Sequence, residues 1–122
     1  MSSNVAKFRL KSVEDLRNMI EHIDEVDTDG RTKTILVELA QNMVAHSNGG
    51  EIYKNGVKIH AWHDQRMQKA EVDHLNAIID KSNTDEPETL NGLGFYMMFK
   101  DGWSVKAKAR GDKTVVILRR TQ

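Results

Sequence analysis

The segment from Thr32 to Ser47 constrains the fold most. Its apolar residues Ile35, Leu36, Leu39, Met43 and Val44 recur at three- and four-residue intervals between the breaks Thr28-Asp29-Gly30 and Asn48-Gly49-Gly50. That is the pattern of one amphipathic helix, and its single apolar face must be covered by another layer. A chain of 122 residues builds one such core rather than two, so a single domain spanning 1–122 is expected.

The flanking segments supply the partner layer. Val5 to Leu10 alternates apolar and basic residues and reads as a first strand. Ser12, with Asp15 three residues on, resembles a capping box, and Val13, Leu16, Ile20 and Ile23 predict a helix to about Val26. Asn55-Gly56 predicts a type I′ hairpin between Ile52-Tyr53 and the alternating Val57, Ile59 and Ala61. Gln65 to about Ser82 is helical by pattern, with Met67, Leu75, Ile78 and Ile79 buried, and Ser82 to Asn91 is a polar loop. Gly92-Leu93-Gly94 leads into a short apolar helix from Phe95 to about Lys100. Trp103 to Ala109 and Thr114 to Arg119 alternate as strands around Arg110-Gly111-Asp112-Lys113. The order β-α-α-β-β-α-α-β-β predicts an α/β (α+β) two-layer sandwich, with helices on one face of a mainly antiparallel mixed sheet. Leu36, Leu39 and Met43 are expected to bury beside Val105, Val115 and Ile117.

Composition narrows the function classes. Hydrophobic residues make up 39% and charged residues 30%, and no stretch approaches the roughly 18 apolar residues of a membrane span. No charged leader with an apolar segment opens the sequence, so neither a secretion signal nor an anchor is expected. The absence of cysteine excludes disulfides and thiolate metal sites and fits a cytoplasmic location. A net charge of zero gives no global attraction to nucleic acid or an anionic membrane, so neither is an expected partner. The best local patch is the basic C-terminal hairpin, where alternation puts Lys106, Lys108 and Arg110 on one exposed face. A solvated edge that discourages strand pairing is the simpler explanation of those residues. His60 and His63 differ by an odd number and point to opposite faces of a strand, which argues against joint metal ligation.

Two motifs carry more chemistry. The second helix holds Glu38-Leu39-Ala40-Gln41-Asn42-Met43-Val44-Ala45-His46, in which residues 38, 42 and 46 stack along one face while 35, 36, 39 and 43 face the core. This run resembles the N box of the GHKL (Bergerat-fold) ATPase and kinase superfamily, the histidine-kinase-like ATPase domain. Asn91-Gly92-Leu93-Gly94-Phe95 is similar to the superfamily's glycine box before a helix, where backbone amides approach phosphate. Val37 to Ser47 is closest to the helix of the SiaB-type serine/threonine kinases.

The resemblance implies a Bergerat-like fold, ATP and Mg²⁺ as cofactors, and phosphoryl transfer to a partner signalling domain. It assigns Asn42 to Mg²⁺, Glu38 to activation of the attacking group, and His46, Asp64, Gly92 and Gly94 to the nucleotide. In histidine kinases the residue at the Asp64 position accepts a hydrogen bond from the adenine amino group. Here Gln65-Arg66-Met67 follow Asp64 where glycines are usual, and the 82–91 loop is short for a lid. A reduced, catalytically inactive module that binds a partner protein, through Phe95 to Phe99 or the basic hairpin, is the alternative. Nucleic-acid binding through that hairpin is a weaker one.

Overall fold

The computed structural model describes residues 5–26, 28–87 and 93–120. Their order is β1 (Val5–Leu10), α1 (Val13–His22), a 3₁₀ turn (Ile23–Glu25), α2 (Gly30–His46), β2 (Gly50–Asn55), β3 (Lys58–His63), α3 (Lys69–Thr84), α4 (Leu93–Lys100), β4 (Trp103–Arg110) and β5 (Lys113–Arg120). The strands form one sheet in the order β1-β2-β3-β5-β4. Every neighbouring pair is antiparallel, so the sheet is wholly antiparallel rather than mixed. The molecule is an α+β two-layer sandwich, as the element order predicts.

Local chemistry sets the helix ends. Ser12 Oγ accepts the Asp15 N–H at 3.2 Å, and the Asp15 carboxylate accepts the Lys11 N–H at 2.8 Å. The Asp29 carboxylate accepts the Thr32 N–H at 2.7 Å, so α2 starts at Gly30, two residues before the expected Thr32. The third helix begins at Lys69 rather than Gln65 because residues 65–67 are tied to β5. Thr114 Oγ1 donates to the Gln65 carbonyl at 2.8 Å and accepts the Met67 N–H at 2.8 Å.

The pleat decides which strand residues meet the helices. In register, Ala61 lies opposite both Ile52 and Val116, and Leu118 lies opposite both Ile59 and Val105. These positions, with Leu10 and Ala107, form one core with Leu36, Leu39 and Met43 of α2, Ile79 of α3 and Met98 of α4. Burying such side chains stabilises by about 1.5–3 kcal/mol each. Val105 packs where expected, but Val115 and Ile117 do not meet the helices. They alternate with Val116 and Leu118 and so project from the opposite face of β5.

The α1 stripe and the first hairpin turn both differ from the sequence pattern. On α1, Met19 is the buried residue, with Leu16 and Ile23 packed beside it, while Val13 and Ile20 are 63% and 45% exposed. The flexible thioether of Met19 fills the seam, and the buried stripe runs 16-19-23 instead of 13-16-20-23. The first hairpin is not type I′, because no non-glycine residue has positive φ and Asn55 pairs directly with Lys58. Its two turn residues are Gly56 and Val57, with φ +60° at Gly56 alone, the pattern of a type II′ turn. Gly111, also at φ +60° between the paired Arg110 and Lys113, repeats the device in the second hairpin.

Candidate functional site

A cavity of about 370 Å³ lies between α2 and α3, over β3 and β5, with the start of α4 at one end. Leu39, Met67, Leu75, Phe95 and Val116 make its apolar walls. Glu38, Asn42 and His46 enter it from one face of α2, one helical turn apart, and Gly94 borders it from α4. Four of the six residues singled out in the sequence thus meet in one place. Leu36, Ala40 and Met43 are buried on the other side of the helix, which fixes the polar face toward the cavity.

No side-chain hydrogen bond engages Glu38, Asn42 or His46 among the described residues. Their polar atoms are available to a ligand. Gly94 is bare for a reason: a Cβ there would stand 2.6 Å from Glu38 Oε1. The Glu38 carboxylate therefore lies against the first turn of α4, where the helix dipole favours negative charge.

Asp64 is placed differently. It does not line the cavity. Its carboxylate is held by Lys11 and by Lys113, the latter at 2.7 Å, and these two ammonium groups keep its pKa below the usual carboxylate range. Asp64 pins the end of β3 to the 11 and 113 positions. Gly92 lies outside the described residues, as do Asn91 and the end of the expected 82–91 loop.

His63, adjacent in sequence, takes the cavity position instead. Burial pushes its pKa down, with partial opposition from Asp64, so the imidazole is neutral at pH 7. Ser47 Oγ donates to the Met43 carbonyl at 2.8 Å and lies 2.9 Å from His63 Nδ1. With the hydroxyl proton spent on Met43, Nδ1–H donates to Ser47, and Nε2 is left as an acceptor. From the sequence alone, His63 stands out only as a candidate metal ligand. The signal that finds it is parity, since 59, 61 and 63 share the helix-covered face of β3.

The polar lining is acceptor-rich. Glu38, Glu71, Asn42, Gln65 and the two histidines contribute to it, and neither Lys nor Arg does among the described residues. No group of three or more His, Cys, Asp or Glu side chains could hold a metal ion among the described residues. A carboxylate and an amide oxygen one helical turn apart instead suit a hard divalent ion that draws its other ligands from phosphate and water.

A scan against protein-family models and a search of curated proteins both return no match. Among the described residues, no helix is long and apolar enough to cross a membrane.

Proposed function

We propose that this chain is a GHKL-like, nucleotide-binding regulatory protein resembling the SiaB-type serine/threonine kinases, and that the cavity beside α2 is its nucleotide site. The single observation that carries the reading is the convergence of Glu38, Asn42 and His46 with Gly94 on one cavity, their side chains unclaimed by other described residues. Asn42 would supply an amide oxygen to Mg²⁺, and Glu38 the carboxylate that activates a partner's hydroxyl. The apolar walls from Leu39, Met67, Leu75 and Phe95 would take the base. The ion would supply the positive charge that this lining lacks, so nucleotide binding should be strictly Mg²⁺-dependent. Magnesium-dependent ATP binding, measured by calorimetry and lost in Asn42→Ala, tests the reading. A Ser or Thr of a partner signalling domain is the corresponding phosphoacceptor, and the cytoplasm the corresponding location.

A second reading has its own support. Asp64 is committed to Lys11 and Lys113, and the Glu38 carboxylate occupies the approach to Gly94 that a phosphate would use. Both features suit a reduced module that keeps the fold, has lost catalysis and acts by binding a partner protein. Absence of any ATP signal in the wild-type protein at millimolar nucleotide favours this reading.

A further inference from the structure

The helices cover one face of the sheet and leave the other open. Charge is divided unevenly between the layers: ten of the 18 Lys and Arg residues, but one of the 18 Asp and Glu residues, stand in the strands. The zero net charge of the chain hides this segregation. Strand register arranges the open face in rows. Lys7, Tyr53, His60, Ile117 and Lys106 are successive partners across all five strands, and Arg9, Glu51, Trp62, Val115 and Lys108 form the next row. Lys58 and Arg119 pair in the row beyond, and Arg110 ends β4. The middle of the face is therefore aromatic and apolar, and both sheet edges are cationic.

Several contacts confirm that these side chains share one surface. The Lys7 ammonium lies 5.4 Å from the Tyr53 ring centre, and His60 meets Trp62 edge to face with centroids 6.4 Å apart. Val115 is fully buried although it belongs to no helix-side cluster, so its cover comes from open-face neighbours. Burial, then the charges of Arg110, Lys58 and Arg119, lower the His60 pKa, which locates a positive field at the centre of the face. Glu51 is the one carboxylate on these rows, and it is already paired with Lys7 at 3.7 Å and hydrogen-bonded by Tyr53.

We propose that the open sheet face, centred on Trp62 and His60 and flanked by Lys106, Lys108, Lys7 and Arg9, is a binding platform for single-stranded nucleic acid. Charge complementarity requires an anionic occupant. A second copy of the same face would bring like charges together. Half-buried aromatic rings at the sheet centre, two strand spacings or about 10 Å from the β4 lysines, match bases stacking centrally while phosphates follow the edge. A duplex, with its bases already stacked inside, would leave the rings unused. This platform is separate from the cavity on the helix-covered side, and its test does not depend on what the cavity binds.

The test is fluorescence anisotropy of a labelled oligothymidylate or oligouridylate of about ten nucleotides, titrated with the full chain at roughly 50 and 200 mM salt. The expected result is binding that falls steeply with salt and that Trp62→Ala weakens about tenfold or more. The double variant Lys106→Gln, Lys108→Gln should lower the logarithmic salt slope by about two. The His60 imidazole pKa, followed by NMR, should rise when the oligonucleotide binds. If Trp62→Ala fails to fold, the lysine variant and the His60 titration decide. No binding at low salt would overturn the proposal, as would binding that ignores both variants. Equal binding of polyglutamate would overturn it in favour of an acidic-protein surface, and binding of phosphatidylserine vesicles but not oligonucleotide in favour of a membrane surface.

Discussion

The two faces of one five-stranded sheet have been put to opposite uses. On the covered face, Ile52, Ile59, Ala61 and Leu118 are fully buried under α2, α3 and α4. The polar groups His63 and Thr114 stand at the end of the strands where the cavity opens, and Lys54 and Arg120 at the opposite end. On the open face, the same strands alternate into Tyr53, His60, Trp62, Val115 and Ile117, ringed by lysine and arginine. The covered face gains its stability from close packing, whereas the open face keeps its rings and charges in reach of solvent. Single-residue parity separates the two, so a slip of one residue in any strand would exchange them.

Truncation in the core should separate the faces most sharply. Met43→Ala removes a fully buried side chain from beneath α2 and should cost about 3 kcal/mol in denaturant unfolding. Ile117→Ala, half-buried on the open face, should cost about 1 kcal/mol. Equal losses would mean that the open face is as closely packed as the covered one.

Capping of α2 sets the next effect. Asp29→Ala deletes the acceptor of the Thr32 N–H and should cost about 1 kcal/mol, largely restored in Asp29→Asn. The Thr32 N–H, then the Arg120 charge, hold the Asp29 pKa below its ordinary 3.8. Its stabilising contribution is thus present above pH 3.8 and lost as pH falls through the lower folded value. Melting temperature against pH in the two variants checks both points.

His63 gives a smaller effect at milder pH. Its folded pKa lies below the ordinary 6.5, so below that pH the unfolded chain takes up a proton that the folded chain resists. Stability should decline from about pH 6.5 toward the folded pKa, and His63→Gln should flatten that slope. An unchanged slope would place the titration elsewhere, with His60 on the open face the other depressed imidazole.

Gly94→Ala should change stability by about 0.5 kcal/mol or less, because the group in its way is the movable end of Glu38 and alanine favours a helix. It should nevertheless displace the carboxylate and alter ligand affinity at the cavity.

The sequence made the element order and the α2 face legible because both rest on strong periodicity. The positions of Glu38, Asn42 and His46 on one face follow from their spacing alone. Three things were not legible, each for a physical reason. The stripe of α1 depends on which neighbour covers it, and Met19 competes with Val13 and Ile20 for that role. The Gly56 turn depends on a register that Asn55-Gly56 does not specify by itself. The exchange of Asp64 for His63 in the cavity depends on Lys11 and Lys113, which lie 53 and 49 residues away in sequence and meet Asp64 only in the folded chain.

The proposal that the α2 face binds nucleotide through Mg²⁺ is tested by calorimetric titration of ATP, with and without Mg²⁺, into wild-type protein and Asn42→Ala. Asn42 is half-buried, and no described side chain hydrogen-bonds to it, so Asn42→Ala should melt within about 0.5 kcal/mol of wild type. The expected result is Mg²⁺-dependent ATP binding in the wild type and none in the folded variant. ATP binding that persists unchanged in Asn42→Ala, or that needs no Mg²⁺, would contradict it.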